Sequence, residues 1–222
     1  MKQGAGQGNR QRGRFISFEG GEGAGKSTQI RLLVDALAAR GLDVIATREP
    51  GGSPGAEEIR RLLVSGDPGR WDGVTEALLH FAARRDHLAR TVWPALDAGR
   101  WVVTDRFADS TMAYQGYGHG LGREPIERLY AVAVGDFAPD LTLILDIPVE
   151  AGLDRTQGRT GGEDRYERMD REFHRRLRDG FLDIAAREPG RCVVIDAARP
   201  VEAVQADMLA TVLRHFPEAA AS

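Results

Sequence analysis

Cysteine is almost absent from this chain: Cys192 is the only one in 222 residues, so no disulfide can form within it. It stands in the apolar run Cys192-Val193-Val194-Ile195, where a small buried core residue is expected. Such cysteine usage implies a reducing, cytoplasmic compartment. Long apolar runs are missing as well. No stretch approaches the length of a membrane span, and the N-terminal residues carry no apolar core of a secretory signal, so no membrane partner is expected. Positive charge is not in excess either: 30 Lys and Arg stand against 33 Asp and Glu, a formal net charge of −3. Binders of nucleic-acid polymers are usually strongly basic, so that class is set aside.

Short apolar runs do recur, and they alternate with helical patterns. That alternation is the mark of a mostly parallel sheet covered on both faces, an α/β fold. The runs predict strands at Phe15–Glu19, Val44–Arg48, Trp101–Asp105, Leu141–Asp146 and Cys192–Asp196. The periodicity between them predicts helices at Lys26–Arg40, Ala56–Ser65, Val74–Ala98, Pro125–Gly135, Arg171–Arg187 and Val201–His215. Residues 1–13, rich in Gly, Gln and Arg, read as a disordered leader. One domain is expected over 14–216, followed by a flexible tail at 217–222. Ligands of such sheets bind beyond the carboxyl ends of the strands, which is where the informative residues fall.

Gly20-Gly21-Glu22-Gly23-Ala24-Gly25-Lys26-Ser27, followed by Thr28, meets every fixed position of the phosphate-loop pattern G-x-x-x-x-G-K-[ST]. It lies between a predicted strand and a predicted helix, the context the motif requires. The glycines let backbone N–H groups turn onto phosphate oxygens while the helix points its positive end at them. Lys26 is expected to reach the β- and γ-phosphates and Ser27 to ligate Mg²⁺, so a nucleoside triphosphate is the expected ligand. A guanine-nucleotide switch would need an Asn-Lys-x-Asp motif, and the only Asn is Asn9.

Asp105-Arg106 ends an apolar strand, the position of a second Mg²⁺ partner with a phosphate-binding arginine beside it. Arg48 ends another strand before the rigid turn Glu49-Pro50-Gly51-Gly52. Its planar fork suits phosphate capture, and with Lys26 and Arg106 it predicts a cationic cup for two facing phosphates. His80 and Arg84 share one helix face, as do Ser110 and Tyr114, with Gln115 adjacent. Aromatic surface with Arg and Gln donors describes a site for a flat, hydrogen-bonding base. The glycine-rich segment through Arg155, Arg159 and Arg165 has no apolar anchors and reads as a mobile lid over 154–166.

The segments Phe18-Glu19-Gly20-Gly21-Glu22-Gly23-Ala24-Gly25-Lys26-Ser27-Thr28, Thr47-Arg48-Glu49-Pro50-Gly51-Gly52, Asp105 through Gly116, and Pro139 through Pro148 together resemble the thymidylate kinase family over nearly the whole chain. The resemblance implies a P-loop NTPase fold of the nucleoside monophosphate kinase type. It implies transfer of the ATP γ-phosphate to dTMP for dTTP synthesis, with Mg²⁺, in a homodimer packed through helices. Carried onto these positions, Arg48 and Arg106 hold the dTMP phosphate, and Asp105 stands near Mg²⁺. Glu22 meets the 3′-hydroxyl, and Arg84 donates to thymine O4. Ser110 and Gln115 line the base and sugar pocket, and Tyr114 crowds a ribose 2′-hydroxyl. One branch of the family has arginine at the position of Gly23; the matching branch takes its catalytic arginine from the lid, which makes Arg159 the candidate ahead of Arg155 and Arg165. Where the family stacks Phe or Tyr on the base, four residues before Arg84, this chain has His80 with Phe81 beside it. Either could cover the base. A kinase for another acceptor, such as dUMP or a deoxynucleoside, is the alternative.

Overall fold

The structure is a computed structural model that describes residues 12–156 and 165–220. Five parallel strands form one sheet in the order β2-β3-β1-β4-β5: β1 (Phe15–Glu19), β2 (Val44–Arg48), β3 (Trp101–Asp105), β4 (Leu141–Asp146) and β5 (Cys192–Asp196). Each matches a strand expected from the sequence. Helices cover both faces, so the strands alternate between two cores rather than between core and water. Phe15 and Ile144 face one core with Phe81, Phe107, Phe173 and Phe181. Ile16, Phe18, Leu141, Leu143 and Leu145 face the other with Leu33, Leu37, Met208 and Val212.

The first core is covered by α3 (Gly73–His87), α6 (Arg123–Ala133) and α8 (Arg171–Arg187), the second by α1 (Lys26–Ala38) and α9 (Val201–His215). The helix α2 (Pro54–Leu63) packs on α3. The long helix expected from Val74 to Ala98 is divided: α3 passes through a π-helical turn, Leu88–Val92, into the short α4 (Trp93–Asp97). Pro94 lies at the start of α4 and has no N–H to offer the preceding turn, a recognised cause of such a break. After β3 the chain forms α5 (Ala108–Thr111) and a second π-helical turn, Met112–Gly118, and after β4 it forms α7 (Val149–Thr156). None of these last three was legible as periodicity.

Two expected boundaries differ. Within the segment read as a tail, Pro217–Ala220 is a 3-10 turn with Ala219 fully buried, and Glu218 pairs with Arg14 at 2.6 Å. Within the segment read as a leader, the amide of Gly13 donates to the Leu96 carbonyl and the Arg12 guanidinium stands over the Phe137 ring. Residues 1–11 and 221–222 lie outside the described residues.

Candidate active site

The carboxyl ends of β1 and β3 place the chemistry. β1 ends at Glu19 and runs straight into the phosphate loop. Gly25, in the left-handed region at φ 87°, caps α1 and turns the loop into its first helical residue, Lys26. Lys26 Nζ folds back to donate to the carbonyls of Gly20 (3.1 Å) and Gly21 (3.0 Å). Burial and the nearby Arg106 lower its pKa, against the pull of Glu22, Asp105 and Glu19. A cleft of about 540 Å³ opens here, lined by Glu22 through Thr28 with Asp105 and Arg106. Ser27 Oγ donates to Asp105 Oδ2 at 3.3 Å. This hydroxyl and carboxylate are hard oxygen donors of the kind Mg²⁺ accepts when phosphates and water complete its shell. Among the described residues no cluster of three or more His, Cys, Asp or Glu could hold a metal unaided.

Gly23 closes the loop against α7. Its φ is 70°, and a Cβ there would stand 1.9 Å from the Gly152 carbonyl oxygen; a Cβ on Gly152 would in turn meet the Glu22 carbonyl at 2.5 Å. Loop and helix touch backbone to backbone.

Arg106 is the hinge of the site. It is the one non-glycine residue with positive φ (72°) among the described residues, a strained conformation that persists where surroundings hold it. Its amide donates to the Phe18 carbonyl, and the Arg106 carbonyl accepts from the Thr104 hydroxyl, both at 2.9 Å. Its guanidinium donates to the Gly20 carbonyl (3.0 Å), to Ser110 Oγ (3.1 Å) and to Glu22 Oε1 (2.9 Å). Glu22 Oε1 also accepts from the Tyr114 hydroxyl at 2.5 Å. Burial works to raise the pKa of Glu22, but Arg106, then Lys26 and the Tyr114 bond, outweigh it and hold it at about 2.

A second cleft, of about 670 Å³, lies on the far side of Glu22 and Arg106, which line both. Its other walls include Glu49, Arg60, His80, Arg84, Ser110, Thr111, Tyr114, Gln115 and Tyr166. Arg84, 2 % exposed, is held by Glu49 Oε2 (2.7 Å), the Phe107 carbonyl and Thr111 Oγ1 (both 3.0 Å). Its Nη1 is buried with no partner in the protein. Gln115, fully buried, donates through Nε2 to Glu76 at 2.9 Å, which leaves Oε1 equally unpartnered. Arg84 and Gln115, each with one unused buried polar atom, therefore line the same cleft, and buried polar atoms are rarely left so.

Of the two candidates for covering a base, only His80 lines the cleft. Its Nε2 lies 3.0 Å from the Tyr166 hydroxyl, and burial, then Arg84, press its pKa down to about 3, so it is neutral. Phe81 is in the core with its ring edge-on to Tyr130, under the Arg84 guanidinium. The expectation for Phe81 is corrected, because its neighbour on the helix takes the outward face.

Three expected cations are placed elsewhere. Arg48 turns to Glu57 (3.1 Å) and lines a groove with Ser27 and Asp105 rather than joining Arg106 and Lys26 in one cup. Arg155 donates to the Ala197 carbonyl at 3.1 Å. Arg165 is 1 % exposed and is bonded to Glu76 and to the carbonyls of Asp67 and Leu63, so it braces the second cleft instead of reaching over phosphates. Residues 157–164, with Arg159 and most of the expected lid, lie outside the described residues. Sequence reasoning missed Glu19, Arg60, Glu76 and Tyr166. The signal for Glu19 and Glu76 was a carboxylate inside an apolar run, which must find partners when buried.

Residues 18–208 match the family described as Thymidylate kinase. A thymidylate kinase of Caulobacter vibrioides is 59 % identical over 194 residues, covering 87 % of this chain and 93 % of its own length. That of Ruegeria pomeroyi is 54 % identical over 204 residues, 92 % and 96 % of the two chains. The crystal structure of thymidylate kinase from Ehrlichia chaffeensis superposes with a TM-score of 0.74 at 35 % identity, covering 90 % of this chain and 98 % of that one. A match of this extent, over a phosphate loop that opens onto a second polar cleft, places the chain in the thymidylate kinase family.

Proposed function

We propose that this protein transfers the γ-phosphate of ATP to dTMP, giving dTDP and ADP on the route to dTTP. The observation that carries the choice of acceptor is that Arg84 and Gln115, which line the cleft beside the phosphate loop, each keep one buried polar atom unused, Nη1 and Oε1. Thymine offers an acceptor at O4 next to a donor at N3, which matches that donor and acceptor. Cytosine offers a donor and an acceptor in the reverse order, so both buried atoms would face like partners.

ATP occupies the loop from Gly20 to Thr28, with Lys26 on the β- and γ-phosphates. Ser27 and Asp105 would hold Mg²⁺, which supplies neutralisation of the charge developing on the phosphate oxygens. dTMP occupies the second cleft with its phosphate at Arg106, the cation common to both clefts. Glu22, ionised throughout the working range, accepts from the sugar 3′-hydroxyl, and Tyr114, fixed to Glu22, fills the space of a 2′-hydroxyl. Arg60 is the further cation in this cleft, and Arg48 stays with the groove at Ser27 and Asp105. His80 presents its neutral ring to the base. The nucleophile is an oxygen of the acceptor phosphate, already ionised near neutral pH, so no general base is needed. Catalysis rests on alignment and on positive charge at the transferring group, supplied by Lys26, Arg106 and, on the resemblance, Arg159.

The face of α3 with Val74 and Leu78, both 51 % exposed, and Val132 of α6, 88 % exposed, supports a homodimer packed through these helices. No helix among the described residues is long and apolar enough to cross a membrane. Cys192 is free and buried, and burial and then Asp109 push its thiol up to about 12, an inert state suited to the cytoplasm.

The test is a panel of nucleoside monophosphates with ATP, followed by ADP release. Turnover is expected with dTMP, weaker turnover with dUMP, which shares the base edge, and almost none with dCMP. Comparable use of dCMP would overturn the reading of the cleft.

A further inference from the structure

Glu19 has no part in the phosphate loop's recognised chemistry, yet it is the last residue of β1 and lies directly beneath Arg106. It is fully buried. Oε1 accepts from the Phe107 amide at 2.7 Å and Oε2 lies 2.5 Å from Ser110 Oγ. Both groups follow Arg106 closely in the chain, and Ser110 Oγ accepts from the Arg106 guanidinium. One carboxyl group therefore ties the backbone after Arg106 and the side chain that Arg106 leans on to the root of the phosphate loop. The strained φ of Arg106 gives this tie something to hold, since a left-handed arginine relaxes unless its neighbours are fixed.

We propose that Glu19 is the positioning residue for Arg106, acting through the Phe107 amide and the Ser110 hydroxyl to aim the guanidinium at the acceptor phosphate. This rests on the reading of Arg106 as the acceptor-phosphate arginine. Glu19 touches no substrate; it acts through Arg106.

The chemistry of the group fits the task. Burial, then the carboxylate of Asp109, raise its pKa to about 8, against the pull of Ser110, Arg106 and the Phe107 amide. The charged and titratable groups around it are Asp109 of α5, Arg106 after β3, Lys26 of α1 and Cys192 of β5. A neutral carboxyl can accept from the Phe107 amide with one oxygen and donate its own proton to Ser110 Oγ with the other. It then supports Arg106 without competing for its charge. Ionised, the same group becomes a rival anion that draws Arg106 inward, away from the acceptor.

The test uses the full chain with ATP and dTMP at saturating and limiting concentrations from pH 6 to 9. Glu19→Gln keeps one acceptor and one donor in the same places. It is expected to retain kcat within about threefold at pH 7 and to lose the fall in kcat/KM for dTMP that is expected of the native enzyme as pH rises through about 8. Glu19→Ala is expected to lower kcat/KM for dTMP by about 10- to 100-fold, the loss that follows when a catalytic group is misplaced. The KM for ATP should stay near native. If Glu19→Ala loses stability, its urea midpoint identifies that, and Glu19→Gln still decides through its pH profile. An unchanged alkaline limb in Glu19→Gln, or equal losses for ATP and dTMP in Glu19→Ala, overturns the proposal. Arg106→Ala separates the two readings: an inactive Arg106→Ala with native-like Glu19 variants sinks only the positioning role, and an active Arg106→Ala sinks the reading of Arg106 itself.

Discussion

The two clefts share Glu22 and Arg106 but are made in different ways. The donor cleft is almost one continuous stretch, Glu22 through Thr28, with Asp105 and Arg106 added, and much of its surface is backbone. The acceptor cleft is assembled from the turn after β2, from α2, α3 and α5, from the π-helical turn and from the residues following 164, and its working atoms are side-chain tips. Backbone N–H groups recognise any phosphate. Side-chain tips that donate and accept in a fixed order can tell one base from another. The contrast recurs in two carboxylates three residues apart: Glu22, beside Arg106 and Lys26, is held at about 2, while Glu19, buried near Asp109, is pushed up to about 8. The company each keeps, rather than the residue type, decides which is an anion.

The sharpest way to break this contrast is at Lys26. Lys26→Ala should lower kcat by about 10³-fold, the scale for removing a preorganised charge at a developing anion, with the far-UV spectrum and urea midpoint nearly native. A rate near native would mean that the donor cleft does not carry the chemistry. On the acceptor side the large effect should be structural. Arg84→Ala strands Glu49, 5 % exposed, with only His87 at 2.9 Å, and should cost about 3–5 kcal/mol of unfolding free energy, the usual penalty for breaking a buried pair. Urea denaturation checks it, and a loss under about 1 kcal/mol would show that the pair is not buried in solution.

A finer test replaces Gln115, which loses its unused Oε1 together with its bond to Glu76. Gln115→Leu should raise KM for dTMP by about 10- to 100-fold while KM for ATP is unchanged, because the lost acceptor is worth about 1–3 kcal/mol. Equal effects on both substrates would erase the division between clefts. The smallest effect concerns His80. Its folded pKa of about 3 lies below the ordinary 6.5; its contribution is therefore fully present above pH 6.5 and is lost as pH falls from there toward 3, where the unfolded chain takes up a proton that the folded one refuses. His80→Gln should flatten part of that acid slope in melting temperature measured from pH 4 to 8, with little change at pH 8. An unaltered slope would assign it to other groups.

The same division explains what was legible in the sequence. All five strands were: β1, β3 and β4, buried on both faces, are written as continuous apolar runs, and the edge strands β2 and β5 as shorter apolar runs; α8 and α9 were, from periodicity. The phosphate loop was, because its function is local. The break in the long helix at Leu88 was not, since π-helical turns keep a helix-like pattern. Phe81 and His80 are adjacent in sequence, and which one faces outward depends on a rotation of α3 that only packing against Tyr130 fixes. Arg48 was read as a phosphate ligand and Arg165 as a lid arginine, and both instead pair with carboxylates of the protein. Their anions, Glu57 and Glu76, lie in other segments, and no spacing rule names them.

The bare contact between Gly23 and Gly152 bears on how this kind of kinase can be redesigned. An arginine installed at position 23 would collide with α7 before its charge reached any phosphate. A loop-borne arginine and a closely seated α7 are thus mutually exclusive solutions, and changing from one to the other requires two coordinated alterations, in the loop and in the path of the helix. A single substitution passes through a form that has neither arrangement intact.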